Sequence, residues 1–107
     1  MIADTIDAAI AKRPFASKPS LNILEAQASG ENLVLTFELR NFDGLHVHVY
    51  RDELNSPNYN RCEDLETVPC TVASAVWQGA IQLVVAAHEN GTHIQVRPLV
   101  QDSIVPP

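Results

Sequence analysis

The nine residues from Asn32 to Arg40, NLVLTFELR, alternate: Leu33, Leu35, Phe37 and Leu39 take one parity, and Thr36, Glu38 and Arg40 the other. Successive side chains of an extended chain point to opposite faces, so this run is a strand with one buried and one wet side. A helix would scatter the same four apolar side chains around its circumference. The alternation returns in LHVHVYRDE, where Leu45, Val47 and Val49 oppose His46, His48 and Tyr50. Period two begins at Leu21. VPCTVASAVW reads as a strand of small residues, AIQLVVAAH as another, and THIQVRPLV as the last, with NFDG, QG and NG as turns between strands. LNSPNYNR reads as a polar loop carrying Pro57. About seven short strands with turns roughly every ten residues and no helix between them predict an all-β fold, an antiparallel β-sandwich with Greek-key connections.

The first residues break this pattern. In TIDAAIAKR the apolar Ile6, Ala9 and Ile10 stand at helical spacing behind Asp4 and Thr5 as capping candidates, and the run stops at Pro14. So short a helix is marginal unless it docks on something. PFASKPS follows as a connector. The expected organisation is a short helical or extended N-terminal arm over residues 1–19, and one sandwich domain over residues 20–107. A chain of 107 residues is long enough for one core and too short for a second. The arm has little to pack on within so small a domain and is expected to dock on a neighbouring subunit or to serve as a tether.

Charge narrows the partners. Thirteen acids against seven Lys and Arg leave a formal charge of −6, and no window is basic. Such a surface repels phosphate backbones, which argues against nucleic acid. The longest apolar run, AIQLVVAA, is too short to cross a bilayer. Residues 1–20 carry Asp4, Asp7, Lys12 and Arg13 where a secretion signal needs an apolar block. No membrane insertion is expected, although an excised or processed chain would also read this way.

Cys62 and Cys70 are the only cysteines. Their spacing fits neither a zinc site, with paired ligands two to four residues apart, nor a Cys-x-x-Cys redox pair. The expectation is a disulfide closing a local hairpin, worth roughly 2 to 3 kcal/mol in the chain-entropy model. Two small buried thiols are the alternative. A disulfide places maturation outside a reducing cytosol, hence an extracellular, cell-surface or virion location.

WQGAIQLVVAAHENG resembles the penultimate strand of fibronectin type III and related bacterial immunoglobulin-like domains, which run from a glycine turn through alternating apolar residues to a glycine hairpin. On that resemblance Ile81, Leu83, Val85 and Ala87 are inward, Asn90 and Gly91 form the hairpin, and GLHVHVYRDE looks like the third strand. Trp77 departs from the pattern, because it precedes the glycine turn instead of lying on the second or third strand. The resemblance implies an immunoglobulin-like sandwich and a module that binds, spaces or displays; fold alone does not fix function.

All four histidines lie in two places, GLHVHVY and HENGTH. A type I′ turn at Asn90 and Gly91 pairs Glu89 with Thr92 and His88 with His93. A third strand antiparallel to the sixth then brings His46 near His88, with His48 one step further along the same face. Four imidazoles on one outer face suggest a zinc or copper site made of His46, His48, His88 and His93, since neutral imidazole is the commonest ligand for those ions. The same cluster equally suits a solvated face, or an interface weakened by protonation below about pH 6. The HVH pair is similar to that of copper-zinc superoxide dismutases, but the further ligands of that family are missing. Tyr50, Asn58, Tyr59 and Arg61 are candidates for partner contact, being side chains suited to adaptable recognition. Glu63, Asp64 and Glu66 form an acidic cluster without calcium-loop spacing, and NGT at 90–92 is a sequon that also serves as a turn.

No catalytic constellation emerges. Ser74 has no glycine elbow, bridged cysteines cannot pair with a histidine, and no glycine loop cradles phosphate. The expected function is noncatalytic binding, adhesion or display within a larger surface, secreted or virion assembly. Its partner is a protein, a carbohydrate or neighbouring subunits, and no cofactor is needed. The alternatives are a zinc- or copper-binding protein and a structural or decoration subunit of a phage or virus particle.

Overall fold

The computed structural model describes residues 19–41, 46–63 and 69–107. The expected arm helix, the NFDG turn from Phe42 to Gly44, the inward Leu45, and the acids Asp64 and Glu66 lie outside them. The strands are β1 (Ser20–Ser29), β2 (Asn32–Arg40), β3 (His46–Arg51), β4 (Tyr59–Glu63), β5 (Cys70–Val72), β6 (Gln82–Glu89) and β7 (Thr92–Val100). A helical turn, α1 (Ser74–Trp77), stands between β5 and β6. All strand pairs are antiparallel. They form a three-stranded sheet in the order β1-β2-β5 and a four-stranded sheet in the order β4-β3-β6-β7.

Alternation decides which faces meet. Leu33 and Leu35 of β2, Val47 and Val49 of β3, and Leu83 and Val85 of β6 are all fully buried in one cluster. Two half-apolar sheets bury those stripes by packing face to face, which is why the two layers form. Arg97 of β7 donates from Nε to the carbonyl of Leu21 on β1 at 3.2 Å and so laces the layers along one side. The chain end covers the free edge of β1. The Val105 amide donates to Ala26 and the Ala28 amide to Val105, both at 2.8 Å, which satisfies backbone groups that would otherwise invite another strand.

Cys62 and Cys70 are bridged, with Cα atoms 5.6 Å apart. The bridge does not close a hairpin. Cys62 sits on β4, paired with β3, and Cys70 on β5, paired with β2, so it ties an edge strand of one sheet to an edge strand of the other.

Three other expectations need correction. VPCTVASAVW is not one strand: among its described residues the strand is Cys70–Val72, and the Ala73 amide turns away to Asn60 Oδ1 at 2.8 Å. The following helical turn is held by Arg51, whose Nη1 donates to the carbonyls of Ala75 and Gln78. LNSPNYNR is not all loop, because Tyr59, Asn60 and Arg61 belong to β4. Ile81 is not inward; it is 84% exposed. Its amide is taken by Asp52 Oδ1 at 2.7 Å, and β6 begins one residue later, so its odd parity carries no facing rule.

Candidate functional site: an imidazole and tyrosine face

The face begins with β3. Val47 and Val49 are committed to the core, so His46, His48 and Tyr50 project from the outer side of the four-stranded sheet. The hairpin supplies the rest. Asn90 and Gly91 have φ of 51° and 82°, the two positive values of a type I′ turn, and the pairs Glu89 with Thr92 and His88 with His93 follow as expected. β3 and β6 pair His46 with His88 and His48 with Ala86. The topology therefore brings the two histidine motifs together on one outer face.

Tyr50 organises this face. It points away from the main core yet is only 5% exposed, because it forms a second buried cluster with Val84 and Ala86. Ala86 supplies only a methyl group, leaving room for a ring above the strand. The Tyr50 hydroxyl lies 2.8 Å from His48 Nδ1 and 3.2 Å from His93 Nε2. The His88 ring stacks on His48 with centroids 5.1 Å apart and planes 20° apart, and meets the edge of His93 at 5.2 Å. Tyr59 completes the group from β4, its ring 5.4 Å from both His48 and Tyr50.

His46 has a different neighbour. Arg61 donates from Nη2 to His46 Nε2 at 2.7 Å, with Nδ1 of the same ring at 3.3 Å. A guanidinium can only donate, so in this contact the ring nitrogen is the acceptor.

The electrostatics follow from crowding. Partial burial holds the His48 imidazole below the ordinary histidine range, and the nearby His88, His93, Arg61 and His46 add to that. Burial and then His88 do the same for His93. Burial pushes the Tyr50 phenol up, with Tyr59 contributing. At neutral pH, His48 and His93 are therefore neutral and the phenol keeps its proton.

The expected zinc or copper ligands thus share a face without forming a coordination sphere. Among the described residues, no group of three or more His, Cys, Asp or Glu side chains stands where it could hold an ion. His48 Nδ1 and His93 Nε2 face Tyr50, and His46 faces Arg61. The partner-contact candidates divide as well. Tyr59 is 47% exposed and Arg61 is exposed on the same face, whereas Tyr50 is buried and acts as a floor. Asn58 is exposed in the preceding loop, its carbonyl accepting from the Arg51 amide and its amide donating to Ser56 Oγ.

Sequence reasoning missed Val84 and Ala86 as a floor and Asp52 as a lock. The signal for the first was present, since LVVAA is apolar at both parities, which is how a strand covered on both faces reads. Asp52, at φ 66°, adopts a left-handed conformation that Asp tolerates. Its carboxylate accepts from the Ile81 and Gln82 amides at 2.7 and 3.4 Å.

Elsewhere the β1 and β7 edges enclose an open groove of about 410 Å³ between Leu24, Ala26, Pro98 and Leu99. No helix of the described residues is long and apolar enough to cross a membrane. Compared with protein-family models, curated proteins and solved structures, the chain matches none.

Proposed function

We propose that the chain is a noncatalytic recognition module of the immunoglobulin-like, fibronectin type III-like kind, serving a larger surface, secreted or virion assembly. The strand order supports the fold half of this reading. First, second and fifth strands in one layer, and third, sixth and seventh in the other, is the immunoglobulin-like arrangement. Here the fourth strand joins the third, which we assign to the fibronectin-like variant. The interlayer disulfide supports an oxidising location outside the cytosol.

The observation that carries the functional half is the row of rings on one rigid face. Tyr59, His48, His88 and His93 follow one another in tilted, stacked and edge-on contact over a floor formed by Tyr50, Val84 and Ala86. Rings with few torsions lose little entropy on contact, and tyrosine and imidazole offer both an apolar surface and hydrogen-bond capacity. The face is suited to a neighbouring protein surface within the assembly. A photo-crosslinking residue placed at Tyr59, and separately at the exposed Ile81 just before the start of β6, tests this in the native assembly. Capture of a defined partner from position 59 and not from 81 is expected. Equal capture from both, or from neither, would end the reading, and capture of glycan would change the partner class.

Ring spacing favours one second reading, the zinc- or copper-binding protein. The His48–His88 and His88–His93 centroids, 5.1 and 5.2 Å apart, are close enough for a shared ion once His48 and His93 rotate off Tyr50. Calorimetry with Zn²⁺ and Cu²⁺ decides it. Micromolar or tighter binding that His88→Ala abolishes would replace the recognition reading.

A further inference from the structure

The Tyr50 hydroxyl has one proton to donate and two lone pairs with which to accept. Placed between His48 Nδ1 and His93 Nε2, at 2.8 and 3.2 Å, it can donate to one imidazole and accept from the other. Its proton has an acceptor there only while one facing nitrogen is bare. Two neutral imidazoles of the same tautomer, both Nε2–H or both Nδ1–H, meet this requirement. So does one imidazolium beside one neutral ring. Two imidazolium rings do not: both facing nitrogens then carry hydrogen, and the phenol proton has no acceptor between them.

The surroundings act in the same direction. His88 lies face to face with His48 at 5.1 Å, so a proton on each sets two like charges against one another. Arg61 from β4 and His46 from β3 add to the repulsion felt by His48. Tyr59 from β4 packs its ring against those of His48 and Tyr50. Two acids flank the cluster at its hairpin end. Glu89 follows His88 on β6, and Glu63 of β4 is in register with His46. In the backbone register Glu63 shares the row of His46 and His88, and Glu89 lies one residue beyond it.

We propose that His48, Tyr50, His93 and the stacked His88 form a proton-operated latch on the recognition face, closed over Val84 and Ala86 while the imidazoles are neutral and released when a second proton enters. The proposal rests on the recognition reading for its purpose and on the ring geometry for its operation. At a pH below the range in which unperturbed histidines gain charge, the Tyr50 ring lifts, the row of rings divides, and a partner seated on it is let go. In an acidic compartment or medium the module thus surrenders a contact it keeps at neutral pH.

The test uses the isolated protein and needs no partner. Side-chain NMR from pH 8 to 4.5 follows the imidazole nitrogens together with the Tyr50 ring. The expected result is that His48 and His93 stay neutral below the midpoint of an exposed histidine, and that the Tyr50 ring signals shift in step with the second protonation. His88→Asn removes the stacked neighbour and should move both midpoints upward. Tyr50→Phe keeps the ring and removes the hydroxyl, and should uncouple the two histidines. Tyr50 signals that stay unchanged through the titration, or that move while the histidines remain neutral, would overturn the latch. Because the crosslinking experiment is made at neutral pH, a failed latch with positive capture at position 59 leaves recognition standing. A working latch without capture leaves only the switch.

Discussion

Reducing the Cys62–Cys70 bridge separates two effects that a sequence cannot tell apart. The cysteines are eight positions apart, and the chain-entropy relation for so short a loop gives about 2.5 kcal/mol at 25 °C. That value describes the unfolded chain and is the same whether the bridge closes a hairpin or joins two sheets. The native-state consequence differs. β5 is three residues long, paired only with β2, and the bridge is its covalent tie to the opposite layer. Guanidinium unfolding at pH 7, followed through the buried Trp77, should show the reduced protein less stable by about 2.5 kcal/mol, with a slope equal or slightly larger because the reduced chain expands more. For a domain of this size the melting temperature should fall by roughly 10–20 °C. Comparing oxidised and reduced wild type keeps both sulfurs in place and avoids the cavity a Cys→Ala change would leave. Amide exchange should quicken first at Thr71, Val72 and their β2 partners. A loss below about 1 kcal/mol, or uniform exchange with no early opening of β5, would refute the reasoning.

Three further outcomes follow from named contacts. Ala86→Leu should cost about 1–3 kcal/mol by overpacking and displace the Tyr50 ring from its floor, seen as lost ring contacts between Tyr50 and His93 by NMR. Gly91→Ala, at a φ of 82°, should destabilise the hairpin by about 1 kcal/mol in urea titration. Stability should depend on pH with a fixed sign. His48 and His93 are held below the ordinary 6.5, so between their folded values and 6.5 the unfolded chain binds more protons and stability rises with pH. The contribution is fully present above 6.5 and lost as pH falls through the folded values, and His93→Asn should flatten the profile between pH 7.5 and 5.

The strands were readable where one face is oily and the other wet. β2 and β3 satisfy that condition, and the first two pairs of the hairpin follow from the two-residue turn at Asn90 and Gly91, whereas the register shift after His88 does not. The two-layer antiparallel arrangement was legible for the same reason: alternating stripes have few other ways to be buried. The segment after Cys70 misled, because small apolar residues suit strand and helix alike, and the Arg51 contacts that hold α1 come from distant sequence. Ile81 misled because parity has meaning only inside a strand, and Asp52 sets where β6 begins.

The local sequence determined which side chains left the core, and with it that four histidines would share the outer side of one sheet. Only tertiary structure decided what they do there. Tyr50 lies between His48 and His93 because the sixth strand offers a methyl at Ala86 and the seventh brings His93 within reach across it, a relation among three strands that no single stretch encodes. The same holds for the disulfide. Spacing announced a short loop, but whether that loop turns within a layer or crosses between layers depends on which neighbours β4 and β5 find, and backbone pairing with β3 and β2 settles that far from the cysteines themselves.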